Sequence, residues 1–344
     1  MSERTPKQNF LDMAKGICPD YIPMYSYGPN PFRTDVAPNG MIGPGFLNEK
    51  RTPQGGYDIW GVHYVVNRES GYSALPEPNH FILDDITKWR DVIKAPDISG
   101  IDWEKMARQD LENLKKMGID REQTALGFSM HIGYFQELMG FMGFTEGLCA
   151  IFEEPEEVKA LMEYMSDFYC QVAANCIDYY QPDFIQIVDD TAAWGSPFIS
   201  PDQYRELFKP CHAKEAQFGL DRGLPIAMHD CGKCECFIDD WMDFGVNYWD
   251  PVQVCNNLDA VRAKYPDLVL CGAWDAVGPL ASVNVSEEEF KQSIMDTMDH
   301  YGKDGKYVFA AWIFGDMETD EVVRNKNRWM TEVCMDYGKK FYRR

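Results

Sequence analysis

Long hydrophobic runs are missing from this chain of 344 residues. No apolar stretch approaches the roughly 18 residues that a membrane-spanning helix requires. The opening residues also lack the apolar segment that marks a secretory signal. We therefore expect a cytoplasmic protein that has no membrane partner.

Positive charge is scarce as well. Lys and Arg number 33 against 55 Asp and Glu, which gives a formal net charge of −22. Proteins that bind nucleic acids or anionic lipid surfaces use Lys and Arg to hold the phosphate groups. The charge balance therefore argues against both classes of partner, and we expect no nucleic-acid function.

The 11 cysteines lack the regular spacing of a small disulfide-stapled scaffold. Their number is odd, and they are scattered through segments with helix or strand character, so reduced thiols are the expected state. A reducing, anaerobic cytoplasm fits this composition.

No Ser/Gly-rich or Pro-rich linker divides the sequence, which predicts one domain over residues 1–344. This size is ordinary for a (β/α)8 barrel, which uses roughly 250 residues plus insertions. Residues 29–96 are rich in Gly, Pro and Asn, and we predict an irregular insertion or lid there.

From about residue 124 onward, short apolar runs alternate with segments that carry helix signals, among them N-caps at Ser200 and Ser286. The runs cover residues 124–130, 184–188, 225–228, 246–249, 268–273 and 307–311. A first strand at 21–28 and another near 57–66 bring the count to eight. We therefore predict an α/β fold, a (β/α)8 TIM barrel with an N-terminal helical or irregular extension. The competing doubly wound sheet lacks its Gly-x-Gly-x-x-Gly and phosphate-binding loops.

Functional groups of such a barrel lie where the strands end, on the carboxyl-terminal face. The most informative end is His229-Asp230-Cys231, because side chains two positions apart in a strand project from the same side. Other runs end at His131, at Asp189 and Asp190, at Trp249 and Asp250, at Trp274 and Asp275, and at Trp312. The histidines outside strand ends are interpreted as structural or exposed: His63, His80, His212 and His300.

A series of motifs appears in a characteristic order along the chain. The motifs are Asp189-Asp190, Ile199 to Tyr204, Pro210, His229 to Gly232, Phe244 to Asn247 and Asp250 to Gln253. This order resembles the uroporphyrinogen decarboxylase superfamily, specifically its corrinoid-dependent methyltransferase branch, and implies a (β/α)8 barrel. The decarboxylase itself has an arginine-bearing segment after its first strand, whereas this chain has Tyr25-Ser26-Tyr27-Gly28. The guanidinium groups that would hold substrate carboxylates are therefore missing at that position.

The resemblance also implies a metal ion. Thiol-methylating members of that branch hold zinc with a His-x-Cys pair, which His229 and Cys231 match, and with a cysteine at the last strand that this chain lacks. Catalytic zinc takes three protein ligands, so the third would come from Asp189, Asp190 or Cys271. Alternatively, His229 acts as an acid–base or hydrogen-bonding residue without a metal.

Loss of that cysteine weighs against thiol methylation more than against ether cleavage, which needs stabilisation of a departing oxyanion. We therefore predict a transferase, the methyltransferase of an O-demethylase system, acting on a small aromatic methyl ether (a methoxylated phenol). His229 would stabilise the leaving group, while Asp189 and Asp275 orient donors or bind a ring hydroxyl. The predicted substrate-binding residues, largely aromatic as suits a flat arene, are Tyr27, Met130, His131, Trp194, Trp249, Trp274 and Trp312.

The methyl acceptor in this prediction is the cob(I)alamin of a separate corrinoid protein. The chain has no Asp-x-His-x-x-Gly pattern of a cobalamin-binding module, so the partner is expected to bring the cofactor. Three alternatives stay open: a zinc-dependent methylcorrinoid:thiol or folate methyltransferase, a decarboxylase resembling uroporphyrinogen decarboxylase, and a non-catalytic binding barrel. The sequence does not fix the methyl donor, the direction of transfer or the oligomeric state.

Overall fold

A computed structural model describes residues 4–26, 30–67, 73–281, 285–313 and 315–343. Its strands are β1 (Asn39–Ile42), β2 (Arg51–Thr52), β3 (Gly55–Tyr57), β4 (His63–Val66), β5 (Ala74–Pro76), β6 (Ala125–Phe128), β7 (Phe184–Asp189), β8 (Ile226–Asp230), β9 (Val246–Val252), β10 (Val269–Gly272) and β11 (Tyr307–Val308). Its α-helices are α1 (Pro6–Leu11), α2 (Trp89–Val92), α3 (Trp103–Lys116), α4 (Tyr134–Met142), α5 (Phe144–Glu153), α6 (Pro155–Tyr180), α7 (Pro201–Gln203), α8 (Lys209–Leu220), α9 (Ile238–Asp243), α10 (Leu258–Lys264), α11 (Glu287–Tyr301) and α12 (Glu321–Val333). Within those ranges, every helix falls short of the length and apolar character that crossing a membrane would demand.

Seven strands form one curled parallel sheet in the order β1-β6-β7-β8-β9-β10-β11. Every neighbouring pair in it is parallel. Helices separate successive strands from β6 to β11 along the chain, as the crossover connections of a parallel sheet require. The predicted α/β class is therefore confirmed.

The two edges of this sheet face a common segment near the amino terminus. Met24 forms a parallel bridge with Phe309, directly after β11. On the other side, the Ser26 N–H donates to Asn39 Oδ1 on β1 at 3.0 Å, and Asn39 Nδ2 donates to the Ser26 carbonyl at 3.4 Å. In the described residues, the strand predicted over 21–28 is reduced to this bridge and these side-chain contacts.

Side chains of the parallel sheet alternate between two buried faces, which explains why its strands are nearly continuous hydrophobic runs. The outer face packs against the helices. The inner face carries a separate cluster into which Phe10 projects; its ring stacks on Tyr248 at 4.8 Å. Lys7 contacts residues just before β6 and β7, through the Gln123 carbonyl and the Asp183 carboxylate. Helix α1 therefore fills the amino-terminal end of the inner face, and the carboxyl-terminal end is left for a cavity.

The helices begin where the sequence places their caps. The Ser200 side chain accepts from the Gln203 N–H in a capping box, and the Ser286 side chain accepts from the Glu289 N–H. Both caps satisfy backbone donors that have no partner inside the helix. These two predicted helix starts are confirmed.

Strands β2 to β5 form a small antiparallel sheet within residues 29–96. Trp60, between β3 and β4, attaches it to α6 because its indole Nε1 donates to the Tyr169 hydroxyl at 2.8 Å and its ring packs on Phe168 at 5.5 Å. Several residues of this small sheet line the cavity described below. Its action as a lid stays a prediction.

Candidate functional site

A cavity of about 1460 Å³ opens at the carboxyl-terminal ends of the parallel strands. Its walls combine residues that follow β6 to β11 with residues of the small antiparallel sheet and of α4. The position agrees with the general placement of active sites in parallel α/β folds. The groups at its wall that carry chemistry include His131, Asp190, His229, Cys231 and Asp275.

Asp190, His229 and Cys231 form a tight cluster in this wall. One ligand atom from each lies within 4.8 Å of the others, and the Cys231 sulfur is 3.8 Å from His229 Nε2. His229 belongs to β8 and Cys231 follows it, so the alternation of side chains along the strand directs both into the cavity. The sequence prediction that this pair projects together is thus met by the geometry.

His229 is oriented from behind by Asp250. The carboxylate Oδ2 of Asp250 is 2.9 Å from His229 Nδ1, and Asp250 is fully buried. Gln186 Nε2 donates to the other oxygen at 3.3 Å and to the Tyr25 hydroxyl at 3.0 Å. A carboxylate at Nδ1 keeps the ring proton on that nitrogen, which leaves the Nε2 lone pair directed at the cluster.

Burial and the neighbouring carboxylates act in opposite directions on the pKa of His229. Burial lowers the pKa, but the charge and hydrogen bond of Asp250 and the charge of Asp190 outweigh burial and raise it overall. The Nδ1 proton of the imidazole therefore has a stable hydrogen-bond acceptor, and Nε2 can donate or accept a hydrogen bond.

Asp190 and Cys231 are both held in place and both disfavoured as anions. Asp190 Oδ1 accepts from the Cys231 N–H at 3.0 Å, and its Oδ2 accepts from Gln136 Nε2. Burial raises the pKa of Asp190, and burial together with the Asp190 charge raises the pKa of the Cys231 thiol. A divalent cation would instead favour the ionised carboxylate and thiolate. These two anions would balance its charge and, with the neutral imidazole, would give it three protein ligands. The residues present therefore fit a zinc ion.

Asp189, predicted as catalytic, projects from the side of β7 that faces the helices and not from the side that faces the cavity. Its fully buried carboxylate accepts from the Phe135 N–H at 3.1 Å at the start of α4, and it lies 3.2 Å from His212 Nε2. His212 in turn contacts the Tyr204 hydroxyl at 2.9 Å through Nδ1. The structure thus gives Asp189 helix-facing partners and places it outside the residues that line the cavity.

Asp275, the other predicted carboxylate, does line the cavity. It is partly exposed, and its Oδ1 accepts from the Val277 N–H at 3.3 Å. Because Val277 is itself exposed, Asp275 belongs to the mouth of the cavity rather than to its base. The structure does not bring it into the cluster around His229.

His131 faces the cavity with a left-handed backbone, φ 52°. Its side chain is exposed at the cavity surface. The surrounding protein, and then the charges of His229 and Arg51, lower the pKa of His131. The lowered pKa favours the neutral ring, the form that both donates and accepts hydrogen bonds. Met130, also predicted to bind substrate, is buried in the outer core.

The predicted tryptophans divide into two groups. Trp194, Trp274 and Trp312 line the cavity, with the Trp274 indole fixed by donation from Nε1 to Ser293 Oγ at 3.0 Å. Trp249 is fully buried and packs on Trp241 at 5.6 Å. Tyr27 lies outside the described residues.

A pair of buried carboxyl groups, of which Glu137 lines the cavity, was not anticipated from the sequence. Glu137 on α4 and Asp58 are each more than nine-tenths buried, and among the described residues Glu137 Oε2 and Asp58 Oδ2 have no hydrogen-bond donor. Burial raises the pKa of both groups, and the charge of Asp58 raises the pKa of Glu137 further. A proton shared between the two carboxyl groups would give both oxygens a hydrogen-bond partner. The nearby Arg51 guanidinium stacks on Tyr64 at 3.7 Å.

Comparisons with known proteins add the family. The family model described as uroporphyrinogen decarboxylase (URO-D) matches residues 132–311, more than half of the chain. A solved methyltransferase from Methanosarcina mazei shares the fold with a TM-score of 0.61, covering 99% of this chain and 100% of that one at 13% sequence identity. No curated protein sequence matches. The matched region contains β7 to β11 together with Asp190, His229 and Cys231. Because the family model matches more than half of the chain, the chain belongs to the uroporphyrinogen decarboxylase family.

Proposed function

We propose that this protein moves a methyl group from an aryl methyl ether to the cob(I)alamin of a separate corrinoid protein and leaves a phenol. The observation that carries the proposal is one cavity that combines the Asp190, His229 and Cys231 cluster with largely apolar, aromatic walls. The methyltransferase named among the solved structures of the same fold supports this choice.

The reaction makes two demands on the protein. The methyl carbon is attacked by the acceptor, and the electron pair of the broken C–O bond stays on the phenol oxygen, which later takes a proton. The protein must therefore align the methyl group with the cavity mouth and stabilise the negative charge that develops on oxygen. Both are tasks of positioning and electrostatics.

The cluster meets the second demand. Asp190, His229 and Cys231 would hold a zinc ion, and that ion would supply Lewis acidity at the position of the departing oxygen. Asp250 keeps the His229 Nε2 lone pair aimed at the cluster through the 2.9 Å contact at Nδ1. Gln136 fixes the Asp190 carboxylate, so that neither Asp190 nor His229 has to reorganise during the reaction.

The aromatic walls meet the first demand. Trp194, Trp274 and Trp312 offer flat surfaces to an arene. The volume of about 1460 Å³ exceeds the roughly 300–1000 Å³ of ordinary ligand pockets. A methoxylated phenol leaves much of this volume free at the mouth, where the partner's cofactor must approach.

The same proposal includes a closed (β/α)8 barrel. Residues 23–26 bridge Phe309 after β11 and hydrogen-bond Asn39 on β1. These contacts support the proposal that residues 23–26 take the place of an eighth strand between the two edges of the seven-stranded sheet. Closure would hold the strand ends in a ring around the cavity.

A second candidate function is zinc-dependent methylation of a thiol from a methylated corrinoid. It is favoured by Asp190, which supplies the third ligand in place of the missing cysteine at the last strand. The two candidates differ in substrate, since the thiol reaction consumes methylcobalamin without any ether.

The test supplies the purified protein with cob(I)alamin and a panel of methoxylated phenols, and measures the phenol released. We expect His229→Ala and Cys231→Ser to lower the rate by a factor of roughly 10²–10⁴. His300→Ala is the matched control, because His300 also contacts a carboxylate, Asp259 at 2.7 Å, but its side chain is exposed on helix α11, outside the cavity.

The outcomes separate the candidates. Release of phenol that depends on His229 supports ether demethylation. Methylation of a thiol by methylcobalamin, without phenol release from any ether, would replace the proposal by the second candidate. Equal rates in His229→Ala and in the His300→Ala control would remove the assignment of the cluster.

A further inference from the structure

A second group of metal-ligating side chains lies in the small antiparallel sheet. His63 Nδ1, Glu77 Oε2 and His80 Nδ1 are within 4.8 Å of one another. We propose that these three residues form a binding site for a divalent transition-metal ion of the zinc class. Imidazole and carboxylate are ligands that such ions prefer, and three protein ligands leave a position for water.

The pairing of strands places two of the ligands. Tyr64 on β4 pairs with Pro76 on β5, and the next step along the ladder joins the Glu77 N–H to the His63 carbonyl at 2.8 Å. His63 and Glu77 are therefore directly opposite each other, and their side chains share one face of the sheet. This brings His63 Nδ1 to 2.8 Å from Glu77 Oε2.

A tight turn places the third ligand. The His80 N–H donates to the Glu77 carbonyl at 3.2 Å, and Asn79 inside the turn has a left-handed φ of 60°. The turn folds the His80 ring back, so that its Nδ1 also lies 2.8 Å from Glu77 Oε2. The Tyr57 ring stacks on His63 at 4.5 Å and restricts its rotation.

The distances fit an ion after a small adjustment. Both imidazole nitrogens approach the same carboxylate oxygen at 2.8 Å, whereas ligand atoms around tetrahedral zinc lie about 3.4 Å apart. Glu77 would move outward by about 0.6 Å, and its side chain, 36% exposed, has the room to do so. The hydrogen bonds from His63 and His80 also lower the pKa of Glu77, which keeps the carboxylate ionised as a ligand.

The site has a structural consequence for the cavity. Pro76 and Pro78 flank Glu77 and both line the cavity wall. An ion bound by Glu77 and the two histidines would join β4, β5 and the following turn, and would fix this part of the wall. The inference does not depend on the proposed methyl transfer.

The test is zinc binding by the full chain in a His229→Ala, Cys231→Ser background, which removes the other cluster. Calorimetric titration with Zn²⁺ is expected to show one equivalent bound, and Zn²⁺ is expected to raise the thermal midpoint. Adding His63→Ala or His80→Ala should weaken the affinity at least tenfold, since loss of even an outer-shell partner of a metal ligand typically costs about 10–100-fold. His300→Ala is the matched control, because that exposed histidine contacts a carboxylate but has no second histidine beside it in the described residues.

Two results would overturn the proposal. One is an unchanged equivalent of bound zinc when His63→Ala and His80→Ala are combined. The other is no zinc binding by the background protein at a free concentration of about 0.1 mM, which corresponds to weaker than about −5.5 kcal/mol. Circular dichroism of each variant shows whether the fold is retained, and cobalt absorption in the visible range reports the geometry of the bound ion separately.

Discussion

Replacement of Asp250 by Asn tests how the cavity holds His229. Asp250 is fully buried, with Oδ2 at 2.9 Å from His229 Nδ1 and Oδ1 accepting from Gln186. Asn has nearly the same shape and keeps the bond from Gln186, but its amide group would present N–H to Nδ1. The imidazole would then carry its proton on Nε2, and the lone pair directed at Cys231 would be lost.

The expected size of the effect follows from the interaction removed. A hydrogen bond to a buried charged partner contributes about 1.5–3 kcal/mol. Loss of a carboxylate behind a metal-binding histidine costs about 10–100-fold in metal affinity, or about 1.4–2.8 kcal/mol. The two estimates agree, so we expect zinc affinity at the Asp190, His229 and Cys231 cluster to fall by about 10–100-fold in the Asn variant.

The assay is competition for zinc with a chromophoric chelator, in protein that also carries His63→Ala so that the second cluster does not contribute. Asp275→Asn is the matched control, since Asp275 lines the same cavity but bonds the Val277 N–H instead of a histidine. Nitrogen chemical shifts of the imidazole report the tautomer directly. Unchanged zinc affinity in Asp250→Asn, with the ring still protonated at Nδ1, would refute the reasoning.

Three further changes test the surroundings of the site. Burial raises the pKa of Glu215 to about 8, whereas the same carboxyl group in the unfolded chain loses its proton at lower pH. The free energy of unfolding should therefore fall between pH 4.5 and 8 by up to about 1.4 kcal/mol per pH unit. Urea unfolding of Glu215→Gln should not show this decrease with pH. Gly232 has a φ of 87°, and a Cβ added there would lie 2.3 Å from the Ala192 carbonyl oxygen. Gly232→Ala should therefore destabilise the folded protein by about 1–3 kcal/mol in thermal unfolding. Gly195→Ala is the control, because a Cβ added at Gly195 meets no atom within 4 Å. Trp194→Ala, at a half-exposed cavity position, should raise KM for the ether roughly 2- to 12-fold without loss of stability.

Local periodicity was enough to predict part of the site. His229 and Cys231 are two residues apart, so they share a side of β8 whatever the rest of the fold does. The convergence of several strand ends then follows from the parallel sheet alone. Asp190 joins them because β7 lies beside β8, with Asp189 paired to Asp230.

The sequence could not decide which side of each strand faces the cavity. Strands buried on both faces show no polar side, so periodicity identifies pairs on a common side without saying whether that side is inner or outer. Asp189 and Trp249 proved to face the helices, while their neighbours Asp190 and Asp250 face inward. Gln186 and Asp190 are four residues apart and therefore project from the same side of β7. Two polar side chains on that side could have indicated that it faces the cavity.

The second cluster escaped sequence reasoning for a different reason. His63 and His80 are 17 positions apart in a segment without a recognisable metal motif, and only the pairing of β4 with β5 brings Glu77 between them. Cross-strand register depends on the segment that connects the two strands, and residues 68–72 of this segment lie outside the described residues. Contacts of this kind require coordinates.

The charge of the cavity wall bears on the alternative of a decarboxylase acting on an acidic tetrapyrrole. Among the described residues that line the cavity, Arg51 carries the one guanidinium. Burial raises the pKa values of the nearby Asp58 and Glu137 carboxyl pair, and the Arg51 charge is already engaged in partly offsetting that rise. Asp190 and Asp275 add further carboxylates to the same wall. Two like charges 4 Å apart repel by about 4 kcal/mol in partly buried surroundings. Binding of each substrate carboxylate without its own guanidinium would therefore be energetically unfavourable. A neutral arene meets no such penalty, and the acidic wall therefore favours an uncharged ether over a polycarboxylate as the ligand of this cavity.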